Sequence, residues 1–409
     1  MSDSLRFLHA ADLHLELPPG GVAEMTDHLR SILVEAPLRA AQRVFEAAIK
    51  ERVDFVVLAG DVIDPLASGP RGLVFLERQF ERLASAGILV YWAGSALDDF
   101  ERWQDAWNPG RNVIRFPAGR AASQVHRRGD QVLAQLAGVS YSTIHKSEID
   151  QLQPARPDLF AIAVVHGSLG PELPVNRGFD YWALGGEHER ANLLSGPVTA
   201  HYAGTNQGRH SGEPGSRGCT LVEVDDERQI RSRFIPTEAV RYERQKVTID
   251  ATFSEERFGT LLRERATELA SDPFGADLIV DWIIAGEGPL VQRLRRGQLA
   301  TDWVARLRAE FGAAKPCVWT SSLLADSHAA GGADYLDEDT VLGEFLRTVS
   351  HYREDAAADI HLESYLAERH LAGTLGAKAM RIDPARRSRL LGDVAELGTR
   401  LLGPQEWQP

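Results

Sequence analysis

Short apolar runs ending in polar residues alternate with helical patterns through the first 240 residues. "RFLHAADLH" is an apolar run broken by histidine and aspartate. In "APLRAAQRVFEAAIKERV", Leu38, Ala41, Val44, Phe45 and Ala48 recur at helical spacing, and "DFVVLAGDVID" then predicts a buried strand. "GLVFLERQFERLASAG" predicts a second amphipathic helix and "ILVYWAGS" a third strand. Strand, helix, strand, helix, strand implies a mainly parallel sheet whose strand ends share one edge, where α/β proteins place their sites. The runs "VLAQLAGVSY", "FAIAVVHGS", "DYWALGG", "VTAHYAG", "CTLVEVD" and "RSRFIPT" come next, separated by polar, glycine-rich turns, and predict further strands.

The character changes near Arg241. "YERQKVTIDA", "ADLIVDWIIAGE" and "KPCVWTSSLL" read as strands, and "SEERFGTLLRERATELASD" and "LATDWVARLRAEFG" as helices between them. This predicts a separate small α/β unit over 241–330, a linker in "SHAAGGADYLDED", and a helical region over 338–409. In "LGEFLRTVSHYRED", Leu342, Phe345, Leu346 and Val349 share one face, which suits either packing on the unit before it or docking of a partner.

A chain of 409 residues is too long for one ordinary core, and 44% hydrophobic with 25% charged residues is a normal globular composition. No apolar run approaches the length of a membrane span and no signal pattern opens the chain, so a cytoplasmic location with no membrane contact is expected. Cys219 and Cys317 are far apart and suggest neither a disulfide framework nor a cysteine zinc site. The net charge of −13 repels a polyanion, so any nucleic-acid contact must be local, through "RHSGEPGSRG" or "RLRRGQ".

Four segments end apolar strands with metal-capable side chains: "ADLHLE" (Asp12, His14), "AGDVID" (Asp61, Asp64), "VVHGS" (His166) and "GGEHER" (His188). Asp-X-His puts a carboxylate and an imidazole on one side of an extended chain. Gly60 before Asp61 lets the backbone approach a ligand closely. Mixed nitrogen and oxygen donors suit manganese, iron or zinc rather than calcium. Trp92, Tyr181 and Trp182 lie on core strands and read as core, not as base-stacking platforms.

On "FLHAADLHLE", "ERVDFVVLAGDVID", "DYWALGGEHER" and "GTNQGRHSGEPGSRGCTLVEVD", the chain resembles the calcineurin-like metallophosphoesterases, and within them the DNA double-strand-break repair exonuclease branch of SbcD- and YhaO-type proteins. The resemblance implies a four-layer α-β-β-α sandwich over 1–240, followed by the capping domain and helical tail. It also implies two metal ions clamping a phosphodiester. Carried over by position, Asp12, His14, Asp61 and His188 hold the first ion, manganese in this reading. Asp61 and His166 belong to the second.

The rest of the second site departs from the family pattern. In "GSALDDF", Ser95 stands where the family has an asparagine ligand. Ala96 stands where it has the histidine that protonates the leaving oxygen, so no catalytic residue is assigned. Gly186 replaces a histidine ligand. Asp98, Asp99 and Ser95 are candidate substitute ligands, unless the two aspartates are solvated or cap the following helix. Arg209 and His210 are candidates for a phosphate contact, or for turn formation. The resemblance therefore implies a metal-dependent DNA phosphodiesterase or exonuclease subunit of DNA repair, weakened by its incomplete second site. The alternative is a non-catalytic DNA-end or ATPase-binding scaffold retaining one metal. The partners implied are DNA, an SbcC-like or YhaN-like coiled-coil ATPase and a second copy in a homodimer.

Overall fold

Capping and apolar spacing start the first helix at Asp27, ahead of the run from Ala36 that predicts it. Thr26 Oγ1 accepts from Leu29 N at 3.2 Å, and Leu29, Leu33, Ala36, Ala40, Val44 and Ala48 then turn inward. The structure, a computed structural model, describes residues 4–103, 107–142, 149–175, 177–271, 275–325 and 340–355, with a few positions between 387 and 402. The elements in chain order are β1 (Leu5–Ala10), α1 (Asp27–Lys50), β2 (Phe55–Ala59), α2 (Pro65–Ser85), β3 (Leu89–Ala93), α3 (Phe100–Trp103), β4 (Val113–Arg115), β5 (Ala122–Arg128), β6 (Gln131–Gly138) and β7 (Phe160–His166). After these come α4 (Glu172–Val175), β8 (Tyr181–Gly185), β9 (Ala191–Leu194), β10 (Thr199–Tyr202), β11 (Gly218–Val224), β12 (Ile230–Pro236), β13 (Val240–Ile249), α5 (Glu255–Ala270), β14 (Asp277–Gly286), α6 (Pro289–Arg295), α7 (Gln298–Phe311), β15 (Val318–Ala325) and α8 (Val341–Glu354).

Two six-stranded sheets run β12-β11-β1-β2-β3-β4 and β5-β6-β7-β8-β10-β9. Strands β1 to β4 are mutually parallel, as are β6, β7, β8 and β10, while the outer strands add antiparallel. Alternation along the strands builds the layers. Phe7, Phe55, Val57 and Tyr91 of the first sheet meet Ile162, Val164, Tyr181 and Ala183 of the second in one core. Leu8, Val56, Leu58 and Val90 face the opposite way onto Val44, Phe45, Leu76 and Phe80 of α1 and α2. On the outer side of the second sheet, Ala163, Val165 and Trp182 are covered by Leu152, Phe179 and the partly buried Leu173 of α4. This is the mixed α/β metallophosphoesterase sandwich, and both central sheets are buried on two faces, which is why their strands read as nearly continuous apolar runs.

Helix α2 starts seven residues before the run that predicts it, because Asp64 caps it by accepting from Leu66 N at 2.9 Å and Ala67 N at 3.2 Å, with Pro65 at its first turn. A break at Gly69, at φ +61° and followed by Pro70, separates that first turn from the amphipathic part.

The inter-sheet core also holds histidines. His9 Nδ1 lies 3.0 Å from the Tyr181 hydroxyl, and His201 contacts Asn192 Oδ1 at 2.6 Å and Thr220 Oγ1 at 2.9 Å. His126 Nδ1 lies 3.1 Å from the Tyr91 hydroxyl.

The chain divides into two compact units, Met1–Gln245 with Glu256–Trp282 and Ala300–Leu323, and Lys246–Glu255 with Ile283–Leu299 and Leu324–Pro409. The third sheet runs β13-β14-β15. Within the first unit, Val240, Tyr242, Ile279, Cys317 and Trp319 pack on Leu29, Leu33, Ala36 and Ala40 of α1. Within the second, α8 buries Leu342, Leu346 and Val349 of the face read from sequence, while Phe345 is half-buried. The linker read in "SHAAGGADYLDED" lies outside the described residues, as does most of the tail after Asp355. Among the described residues no helix is long and apolar enough to cross a membrane.

Candidate metal centre

Parallel strands deliver their C-terminal ends to one edge, and the residues after β1, β2, β7 and β8 meet there. Backbone bonds lock two of the loops together: Asp12 N donates to Gly60 O at 3.0 Å and His14 N to Asp61 O at 3.0 Å. Thr205 Oγ1 adds a bond to Asp12 O at 2.8 Å. Asp12, His14 and Asp61 all hold positive φ, at 53°, 43° and 51°. A non-glycine residue there costs on the order of 1–3 kcal/mol, and such strain persists only where the surroundings over-determine it.

One ligand atom from each of Asp12, His14, Asp61 and His188 lies within 4.8 Å of the others. His14 Nε2 stands 3.5 Å from Asp61 Oδ2, and the His14 and His188 rings meet edge-on at 5.4 Å. His14 Nε2 is buried with no hydrogen-bond partner, which a cation between these groups would supply. Burial raises the Asp12 carboxyl to about 6, against the pull of His166 and of the Gly186 N–H. Two carboxylates and two imidazoles fit a divalent transition metal, and these are the residues that would hold it.

The second position is partly built. His166 Nδ1–H donates to Ala59 O at 2.9 Å, which leaves Nε2 with its lone pair 3.6 Å from Asp61 Oδ1. Gly60 makes this possible, since a Cβ there would lie 2.4 Å from His166 Nδ1. The other places hold no side-chain ligand. Gly186 sits at φ +98°, and its N–H donates to Asp12 Oδ1 at 3.0 Å and Oδ2 at 3.1 Å. Ala96 is exposed and has no proton to give.

The structure gives the candidate substitutes other work. Asp98 is fully buried and accepts from Trp92 Nε1 at 2.7 Å, from Val62 N and Asp61 N at 3.3 Å, and from both Ser95 N and Ser95 Oγ. Its two oxygens tie the loop to the backbone beside Asp61, so they do not face an ion. Ser95 Oγ is turned to Asp98 and to Leu97 N. Asp99 caps α3 by accepting from Glu101 N at 2.9 Å.

Arg209 and His210 also part company. Arg209 is mostly buried, pairs with Glu213 at 2.6 Å and touches the His188 ring. His210 is exposed, with Nδ1 accepting from Gly212 N at 3.1 Å. Arg217 is buried, donating to His188 O at 2.8 Å and to Glu189 at 2.6 Å. The arginines of "RHSGEPGSRG" thus spend their charge inside the protein.

Three residues here escape a reading of the sequence. Glu16 ties the loop after β2 to the His14 ring, Glu213 reaches the His188 ring, and Arg217 holds the loop that carries His188. Burial pushes the Glu213 carboxyl up, but hydrogen bonds from His188 and Arg209 outweigh it and hold it well below the usual carboxylate range. The i,i+4 spacing of Arg209 and Glu213 is a local signal for that ion pair alone, not for the contact of Glu213 with His188.

Residues 5–190 match the Metallophos family, calcineurin-like phosphoesterase. The chain is 30% identical over 241 residues to the uncharacterized metallophosphoesterase YhaO of Bacillus subtilis (strain 168), covering 55% of this chain and 58% of that relative. It therefore spans less than two thirds of the length of that curated protein. Among solved structures, a dimetal phosphatase from Danio rerio is similar at 10% identity and TM-score 0.36, over 56% of this chain and 96% of the other. GAP50, the anchor in the inner membrane complex of Plasmodium, is similar at 14% identity and TM-score 0.35, over 57% and 85%. Likenesses at these scores support no functional inference. The strand-edge cluster of Asp12, His14, Asp61 and His188 lies within residues 5–190, the stretch that matches the calcineurin-like phosphoesterase family.

Proposed function

We propose that the protein is a manganese-dependent phosphodiesterase acting on DNA ends, with turnover weakened by its incomplete second metal position. The observation that carries this is the pairing of a four-residue ligand cluster, whose His14 Nε2 lacks any protein partner, with a second position reduced to Asp61 and His166. The DNA-end substrate and a coiled-coil ATPase partner rest on the motif resemblance. The net charge of −13 requires that DNA contact be local to the site.

A bound divalent ion supplies Lewis-acid stabilisation of a phosphoryl oxygen and acidifies water. The chain's own part is to hold and orient. Asp12, His14, Asp61 and His188 would bind the ion, and the locked loops after β1 and β2 keep their carboxylates and imidazoles in register. Near Asp61, His166 Nε2 keeps a lone pair that can take a proton from water. No side chain at residue 96 protonates the leaving oxygen, so solvent must, and the lost general acid corresponds to about 10²–10⁴-fold in rate.

A second reading is a non-catalytic DNA-end or ATPase-binding scaffold retaining one metal. It is favoured by Gly186, whose N–H serves Asp12 as a backbone donor at the place of a ligand. Metal analysis together with cleavage of linear duplex DNA and of bis-p-nitrophenyl phosphate separates them. One ion per chain and slow manganese-dependent cleavage, lost in Asp61→Asn, is the expected outcome. One ion with no cleavage above Asp61→Asn selects the scaffold, and absence of any bound ion overturns both.

A further inference from the structure

We infer that Glu16 and Glu213 are positioning residues of the metal centre, one carboxylate behind each histidine ligand. The inference rests on the reading of Asp12, His14, Asp61 and His188 as ion ligands and adds what aims two of them.

The two carboxylates are placed alike, although they come from segments almost 200 residues apart. Glu16 Oε1 lies 3.2 Å from His14 Nδ1, and Glu213 Oε1 lies 3.2 Å from His188 Nδ1. Both side chains are less than a tenth exposed. Each has its second oxygen held by a backbone N–H. Glu16 Oε2 accepts from Asp64 N at 2.9 Å, and Glu213 Oε2 accepts from Arg209 N at 2.9 Å. A buried carboxylate held at one oxygen by backbone has little freedom at the other; Glu16 presents it to an imidazole nitrogen, and Glu213 to an imidazole nitrogen and, at 2.6 Å, to Arg209 Nη2.

The consequence is chemical. An imidazole that ligates through Nε2 must carry its proton on Nδ1, and a carboxylate at Nδ1 fixes that tautomer, orients the ring and raises its basicity. For His14 the arrangement is complete: Nδ1 faces Glu16, while Nε2 is the partnerless atom 3.5 Å from Asp61. For His188, Arg209 Nη2 donates to Nδ1 itself as the ring stands, but a guanidinium only donates and so cannot accept from the Nδ1–H that ligation through Nε2 requires. Glu213 is the group that can. Its pairing with Arg209 at 2.6 Å keeps it charged and in place. The carbonyl of His188 is fixed separately, by Thr205 N at 3.0 Å and Arg217 at 2.8 Å, so Glu213 acts on the ring and not on the loop's path.

The test is titration of Mn²⁺ by calorimetry, and of Co²⁺ by visible absorption, into the full chain and its variants. Glu16→Gln and Glu213→Gln keep shape and one accepting oxygen. Each should weaken Mn²⁺ binding about 10–100-fold and shift the Co²⁺ spectrum. Glu189→Gln, on the same loop but 73% exposed in its side chain, should change neither. Because Glu213→Gln strands the charge of Arg209, the double variant Arg209→Gln/Glu213→Gln is made alongside and should show the same loss. Binding within twofold of the parent in both glutamine variants overturns the inference, as does an equal loss in Glu189→Gln. A parent that binds no divalent ion overturns the underlying ligand assignment instead.

Discussion

Asp12 is fully buried, and without an ion it is an unfavourable charge at the centre of the site. Its carboxyl is raised from the usual 3.8 to about 6, first by burial. Between those values the folded chain binds more protons than the unfolded one, so this group lowers stability as pH rises through that window, and the loss is complete above it. Asp12→Asn removes the charge, while its amide oxygen still accepts from Gly186 N. The metal-free variant should be more stable at pH 7.5 by on the order of 2 kcal/mol and no more stable at pH 4, and added manganese should not raise its Tm. Thermal unfolding at both pH values, with and without manganese, checks this; an unchanged Tm at pH 7.5 contradicts it. Gly186 sets a different limit. A Cβ there would lie 3.1 Å from Gly167 N, on a backbone at φ +98°. Gly186→His should therefore destabilise by about 1–3 kcal/mol. Even combined with Ser95→Asn and Ala96→His it should not add a second ion, and metal stoichiometry decides the point. Residue exchange alone does not rebuild the position, because the backbone at Gly186 has been reset.

The loops between elements carry the site, and they show which parts a sequence reveals. Asp12 with His14, and Gly60 with Asp61, could be read because each pair directly follows one apolar run, although the positive φ of Asp12, His14 and Asp61, and not strand alternation, sets the direction of their side chains. The partnership of Glu213 with His188 could not, because it depends on how a loop after β10 folds back on the loop after β8. The role of Asp98 was hidden for the same reason: only the packed structure shows Trp92, Val62 and Asp61 converging on it. Element packing also makes Gly60 indispensable. Gly60→Ala places a Cβ 2.4 Å from His166 Nδ1 at φ +80°, so His166 must leave Ala59 O or the strand end must shift. A loss of about 2–4 kcal/mol in a denaturant titration is expected. The sheets add a pH dependence of their own. Burial lowers His126 and His201 to about 4 and His9 well below its usual value. The unfolded chain then binds more protons than the folded one between about pH 4 and 6.5, so stability falls on acidification across that window. Measured in Asp12→Asn, where the opposing carboxyl is gone, the urea midpoint should be lower at pH 5 than at pH 7.5. A flat midpoint would show that these histidines take up protons without unfolding.

At the scale of the whole molecule, the ligand set and the carboxylates behind it all lie within Met1–Gln245, whereas α8 belongs to the second unit. The apolar face of α8 was legible from spacing, but whether it was open or covered was not, since periodicity reports a face and not its partner. In the structure Leu342, Leu346 and Val349 are each less than a tenth exposed, so that face is spent inside the chain, and an ATPase partner would have to engage other residues of the tail, such as the 73% exposed Val341. Deleting residues 340–409 removes the buried apolar side chains Leu342, Leu346, Val349 and Leu391 from the second unit and nothing from the metal centre. The truncated chain should keep the parent's manganese stoichiometry and affinity, while limited proteolysis should open cuts within 246–255 and 283–299, two of the segments left in the unit that lost its helix. If the proposed coiled-coil ATPase binds the full chain through the tail, the truncated chain should also fail to co-purify with it. Loss of the metal along with the tail would mean that the two units fold as one, and the site would then depend on contacts far beyond the strand edge that displays it.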